Sequence, residues 1–258
     1  MTLRLMCVLA HPDDESLGTG GTLARYAAEG VETSLLTATR GERGRFGDAG
    51  EQPGPDVVGR TREAELRAAA DILGIRDLAV LGYPDGTLDS VDPMAAQEAI
   101  ASHFCRVKPH VVITFGPDGA YGHPDHVAIS QLTTAAVVRA ATMGHQVSKL
   151  YYIAWSAATW AAYQGALKTL SVKVDGIERR TVPAPDWAIT TRIDASAVWQ
   201  TVWNAVQCHR TQISVYRHLY ELTPDRHRAL WGVQEFYRAF SRVNGGRAHE
   251  SDLLDGLR

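Results

Sequence analysis

Apolar residues along this chain fall into short continuous runs separated by longer amphipathic stretches. The first run, residues 3–10 (LRLMCVLA), is short, apolar and stopped by a His-Pro step, which predicts a buried strand. Further strands are predicted over 31–39, rich in β-branched residues, and over 78–82, 110–115 and 150–155. Helices are predicted between them: 17–29, ended by Gly30; 60–73, ended by Gly74; 93–107, with Pro93 at its start; and 127–143. A Gly- and Arg-rich loop, 40–55, is long enough to suggest a functional segment. After residue 155 the alternation stops. Residues 171–191 read as short strands or loops, 195–221 and 223–240 as helices, and 244–258 as a frayed, flexible tail.

Strands alternating with helices imply an α/β fold. The expectation is a Rossmann-like open sheet, mostly parallel, in the order 3-2-1-4-5, with a C-terminal extension of short strands and helices. The whole chain, 1–258, reads as one domain: a sheet core to residue 155 and a cap over 156–243, too small to hold a core alone.

Composition narrows the function. Hydrophobic residues make up 45% and charged residues 21% of the 258, which excludes a disordered chain. A net charge of -3 offers no basic field for nucleic acid. No apolar run approaches the ~18 residues of a membrane span, and the N-terminal run lacks the features of a signal peptide. Three scattered cysteines suggest a reducing compartment, so the cytoplasm is expected. A homo-oligomer is compatible with these features.

The candidate chemistry lies after strands one and four. His11-Pro12-Asp13-Asp14-Glu15 follows the first strand, and Tyr121-Gly122-His123-Pro124-Asp125-His126 follows the fourth. Each has a bland reading, since acidic residues commonly cap a following helix. In the expected order, however, strands one and four are neighbours at the switch point, and both segments face one crevice. His11, Asp14 and His126 would then form a His/Asp/His site for Zn2+ or another divalent metal, with one position open to water. Asp13 would be a general base, and His123 a cation stabilising an oxyanion or an acid for the leaving group. Asp125 would orient His123 and hold it protonated. Tyr121 would donate to a carbonyl oxygen. This is equipment for metal-assisted hydrolysis of an amide or ester.

The AHPDDE and HPDH segments resemble those of the LmbE-like, or PIG-L, de-N-acetylases, over roughly residues 3–155. The resemblance implies the zinc ligands and the base just named, with a small-molecule amino-sugar conjugate as substrate. It also picks out Arg62, in an Arg-x-x-Glu helix, and Asp85, in Gly82-Tyr83-Pro84-Asp85-Gly86, as candidates for sugar hydroxyls. Their bland readings are a solvated helix charge and an ordinary Pro-Asp-Gly turn. Further on, His209-Arg210-Thr211-Gln212 and Trp231-Gly232 with Glu235 resemble family elements to which no chemistry is assigned. Trp155, Trp160, Trp187 and Trp203 are candidates to line a sugar site, with core packing the better expectation for most.

The leading expectation is removal of acetyl from an N-acetylglucosaminyl conjugate. The nearest alternative is an amidase acting on a sugar-linked thiol conjugate. Two other classes are a dinucleotide-binding protein, hinted at by Gly18-Thr19-Gly20-Gly21, and a non-catalytic binding protein.

Overall fold

The computed structural model describes residues 2–258 except 49, 51, 168–170, 175 and 247. Those positions of the expected loop, short strands and tail therefore lie outside the described residues. The first strand, β1 (Arg4–Leu9), is fully buried from Leu5 onward and pairs in parallel with β2 (Glu32–Thr39) and β4 (Val111–Thr114). Such a strand, apolar on both faces, belongs in the middle of a parallel sheet. β3 (Asp77–Tyr83) and β5 (Lys149–Ile153) extend the sheet on either side. The order of the seven-stranded sheet is β3-β2-β1-β4-β5-β9-β8, with β9 (Val233–Ser241) and β8 (Thr191–Asp194) added by the C-terminal part, so its parallel part follows the expected 3-2-1-4-5.

The connecting helices are α1 (Asp14–Ala28), α2 (Pro55–Leu73), α3 (Pro93–Val107), the single turn α4 (Gly119–Gly122) and α5 (Pro124–Thr142). Right-handed crossovers place the two directions of winding on opposite faces, and the contacts agree: α1 packs with α2, and α3 with α5. β1 and β4 lie where the winding reverses, so the chain leaves their carboxyl ends in opposite directions and opens a crevice.

The C-terminal part departs from expectation. An unexpected helix, α6 (Ala157–Leu167), precedes the hairpin of β6 (Ser171–Val174) and β7 (Ile177–Arg180). Strand β8 (Thr191–Asp194) joins the main sheet. The helix expected over 195–221 ends early as α7 (Trp199–Val206), and short turns including α8 (Ile213–Tyr216) follow. The helix expected over 223–240 is only α9 (Pro224–Trp231). Beyond it, β9 (Val233–Ser241) runs antiparallel to β5, with Leu150 opposite Phe240 and Ile153 opposite Phe236. Its aromatic residues suit a pleated surface, and the open edge of β5 supplies unpaired backbone groups.

The tail is not frayed, contrary to expectation. Leu253 and Leu254 are fully buried. The buried Glu250 carboxylate accepts hydrogen bonds from Lys149 Nζ (2.7 Å), Tyr151 Oη (2.8 Å), Thr191 Oγ1 (2.9 Å), Arg238 Nη1 (2.8 Å) and Asn244 Nδ2 (2.7 Å). Lys149 has no solvent exposure, so the tail provides the countercharge that a buried ammonium requires.

Candidate active site

Two loop-to-helix junctions build the site. The first helix begins at Asp14, three residues before the expected start at Leu17. This start lets the Asp14 carboxylate reach back to accept from His11 N (2.8 Å) and Ala10 N (3.2 Å), which ties the helix to the end of β1. Asp13 precedes the helix at φ 109°, in the left-handed region. A non-glycine residue there costs on the order of 1–3 kcal/mol and persists only where its surroundings hold it. Ala120, in the loop after β4, is a second such residue at φ 66°.

At the other junction, α5 begins at Pro124 with His123 as its N-cap, its Nδ1 accepting from Asp125 N (3.2 Å). Asp125 follows in the first turn of that helix, and among the described residues no side-chain hydrogen bond joins its carboxylate to His123. Its carboxylate instead accepts from Gly86 N (2.7 Å) and Leu88 N (3.0 Å) and lies 3.0 Å from His11 Nε2. The expected Asp125–His123 pair is therefore replaced by Asp125–His11. Asp85 joins it, with Oδ1 3.1 Å from the same His11 nitrogen and Oδ2 accepting from Arg43 N (2.9 Å).

His11 thus turns Nε2 to two carboxylates and Nδ1 to the crevice. There Nδ1 lies 3.2 Å from His126 Nε2 and 3.7 Å from Asp14 Oδ2, while His126 Nε2 is 3.5 Å from Asp14 Oδ1. The ligand atoms of His11, Asp14 and His126 all lie within 4.8 Å of one another. Two imidazole nitrogens and a carboxylate, converging in a buried space with the outer nitrogen of His11 already engaged, fit a divalent cation such as zinc.

The electrostatics match this arrangement. Burial works to lower the pKa of His11, but Asp125 and Asp85 raise it to about 10. Burial also pushes Asp14 upward, against the pull of His11. His126 is held well below its ordinary value by burial and by the neighbouring His11 and His123. His123 is lowered to about 4 by burial and His11, so it is neutral rather than the expected cation. Because its Nδ1 accepts a hydrogen bond, its proton belongs on Nε2. Burial raises Tyr121, which stays a phenol and therefore a donor at neutral pH. Its ring stands edge-on to His123 and His126.

Arg62 is not a solvated helix charge. It is buried, donating to Pro12 O, to Gly41 O (2.7 Å) and to Asp13 Oδ2 (3.1 Å). Glycine at position 44 makes this possible, since a Cβ there would stand 2.3 Å from Arg62 Nη1. The guanidinium thus braces the strained Pro12-Asp13 segment, and it also lines the cavity of the site.

These groups line a cavity of about 440 Å3. Its apolar wall is built by Leu17, Phe115, Trp155, Tyr163 and Leu167, while Arg43 and Gln212 add polar edges. Among the candidate tryptophans, Trp155 lines the cavity, Trp160 packs in a C-terminal cluster, Trp203 meets Tyr220 edge-on and His227 at a tilt, and Trp187 is exposed. Sequence reasoning missed Gln212 and Arg43. Their signal was the H-x-[ST]-Q segment and the long Arg-rich loop, which meet where Gln212 Nε2 donates to Arg45 O (2.7 Å). The dinucleotide hint dissolves: Gly21 lies within α1, and a Cβ there would stand 2.6 Å from Ala195 Cβ, so the glycine serves packing.

Comparison with known proteins shows the family. The PIG-L family, described as GlcNAc-PI de-N-acetylase, matches residues 6–137. A 1D-myo-inositol 2-acetamido-2-deoxy-alpha-D-glucopyranoside deacetylase of Rhodococcus jostii is 37% identical over 289 residues, covering 98% of this chain and 98% of that protein. A protein with the same description from Saccharomonospora viridis is 37% identical, covering 98% of this chain and all of its own length (100%). Among solved structures, a conserved protein from Thermus thermophilus superposes with a TM-score of 0.65 at 27% identity, covering 95% of this chain and 98% of the other. N,N'-diacetylchitobiose deacetylase from Pyrococcus horikoshii shares the fold, with a TM-score of 0.65 at 16% identity over 91% of this chain and 83% of its own. The paired His-Pro-Asp segments, the sheet order and these matches together place the chain in the PIG-L family.

Proposed function

We propose that this chain is a zinc-dependent hydrolase that removes the acetyl group from an N-acetylglucosaminyl conjugate, with a 2-acetamido-2-deoxyglucosyl inositol as the first candidate. The observation that carries the reading is the placement of Asp13 beside, but not among, the converging donors His11, Asp14 and His126, at the wall of one cavity. The full-length relatives that bear a deacetylase description support the substrate class.

His11, Asp14 and His126 would hold a divalent cation, which would supply Lewis acidity toward a water molecule and the acetamide carbonyl. Asp13 takes the proton of the attacking water and returns it to the amine as the carbon–nitrogen bond breaks. His123 Nε2–H and the Tyr121 hydroxyl donate to the oxygen on which negative charge develops. Asp125 and Asp85 fix the tautomer and orientation of His11. Arg62 holds Asp13. The products are acetate and a free amino sugar. The apolar wall around Trp155 and Tyr163 suits a sugar face.

No helix among the described residues is long and apolar enough to cross a membrane, and Cys7, Cys105 and Cys208 are free thiols. Both observations fit a protein working in the cytoplasm.

The test is acetate release from a panel of N-acetylglucosaminyl conjugates that includes the inositol glycoside. Release should stop on thorough chelation and return with zinc. Release that is insensitive to chelation overturns the metal-dependent mechanism, and an absence of release across the panel overturns the substrate class.

A further inference from the structure

The segment after α7 turns back to the underside of the site. His209, essentially without solvent exposure, places Nε2 2.8 Å from Glu15 Oε1. Glu15 is equally buried, and its other oxygen accepts from Asp13 N (3.0 Å). Ser16 Oγ donates to the His209-facing oxygen. The next residues anchor the segment. Thr211 donates through N (2.8 Å) and Oγ1 (2.7 Å) to the Glu65 carboxylate on α2, and Gly47 N donates to Thr211 O (2.6 Å).

Neither Glu15 nor His209 lines the cavity, so neither touches substrate. A buried ion pair is also a weak way to stabilise a fold, because desolvation of both charges opposes their attraction. What this pair does that apolar packing would not is hold an acceptor against the amide of Asp13, the residue kept at φ 109°. Arg62 braces the same segment through the Pro12 carbonyl and the Asp13 carboxylate.

We propose that His209 is a positioning residue for the base Asp13, acting through Glu15. The proposal rests on the assignment of Asp13 as the base. With His209 removed, the Glu15 carboxylate loses its countercharge and its fixed orientation. Asp13 then relaxes from the left-handed region, and its carboxylate swings away from the attacking water. Asp14 keeps its own contacts with Ala10 and His11, so the metal-binding set stays in place.

The experiment compares His209→Leu, His209→Gln, Glu15→Gln and Asp13→Asn in the full chain, with metal content, kcat and KM measured for each. His209→Leu should lower kcat by roughly 10- to 100-fold with KM and metal content unchanged, as expected when a base is displaced by about 1 Å. His209→Gln, which retains a donor toward Glu15, should recover most of that loss. Glu15→Gln should lower kcat as His209→Leu does, and the double variant Glu15→Gln/His209→Leu should fall no further than either alone. If His209→Leu does not fold, Glu15→Gln, similar in size to the native residue, carries the reading. A kcat near wild type in Glu15→Gln or His209→Leu, with Asp13→Asn inactive, overturns the positioning role alone. An active Asp13→Asn enzyme overturns the base assignment and the positioning role with it.

Discussion

Asp125 Oδ2 lies 3.0 Å from His11 Nε2, on the side of the imidazole opposite the crevice, while backbone amides of Gly86 and Leu88 hold the same carboxylate. One side chain therefore joins the ends of β1, β3 and β4 and fixes which nitrogen His11 offers to a cation. Asp125→Asn should weaken metal affinity by about 10- to 100-fold, the usual cost of losing such a partner. Competition against a chromophoric chelator measures it. Unchanged affinity with lost turnover would return Asp125 to a role at His123.

Metal loading should depend on pH. His11, at about 10, carries a proton at neutral pH when no cation is bound, because Asp125 and Asp85 outweigh burial. Only its unprotonated form can bind through Nδ1, so the ion must displace a proton, and acid favours the proton. Binding should release at least one proton per ion at pH 7, since burial also leaves Asp14 partly protonated there, and should weaken as pH falls. Calorimetry in buffers of different ionisation enthalpy reads this directly. Binding without proton release would contradict the geometry at His11.

Arg62 distinguishes two accounts of the site. If it contacts a sugar hydroxyl, Arg62→Lys should raise KM. Its buried contacts with Pro12 O, Gly41 O and Asp13 instead predict that kcat falls by roughly 10- to 100-fold with little change in KM, because an ammonium cannot reproduce the planar fork. Steady-state kinetics decides between them.

The tail predicts a stability effect far from the chemistry. Glu250→Ala leaves the fully buried Lys149 without its carboxylate, and breaking such a pair costs about 3–5 kcal/mol, which lowers Tm by on the order of 10 °C. Burial opposes the charge on Glu250, yet Lys149 and its neighbours hold its pKa to about 2. A depressed carboxylate stabilises the fold above the ordinary carboxyl range, and that contribution is lost as pH falls from about 4.5 toward 2. Wild-type stability should decline across that window, and the decline should be shallower in Glu250→Ala, as denaturant melts at several pH values will show.

The parallel sheet and the convergence of His11, Asp14 and His126 are legible in the sequence for the same reason. β1 and β4 are continuous apolar runs from Leu5 and Val111 onward, and a His-Pro-Asp segment follows each, so the sheet order brings the two segments together. The rest depends on contacts between distant residues. His209 and Glu15 are 194 positions apart, and nothing local marks them as a pair. Adjacency suggested that Asp125 serves His123, but the first turn of α5 sends its carboxylate to the loop after β3. The sequence over 223–240 predicts one helix because Thr223 and Pro224 begin a true helix, whereas the pairing that makes β9 a strand is with the distant β5 and β8. The tail looked polar and dispensable because the value of Glu250 appears only beside buried Lys149.

The central claim is that Asp13, held outside the metal-binding set, is the base for amide hydrolysis. The direct measurement is single-turnover acetate release by Asp13→Asn, with the metal content of the same preparation. The account predicts a full complement of metal and release slowed by about 10²- to 10⁴-fold. Release at the wild-type rate from the metal-loaded variant would contradict it.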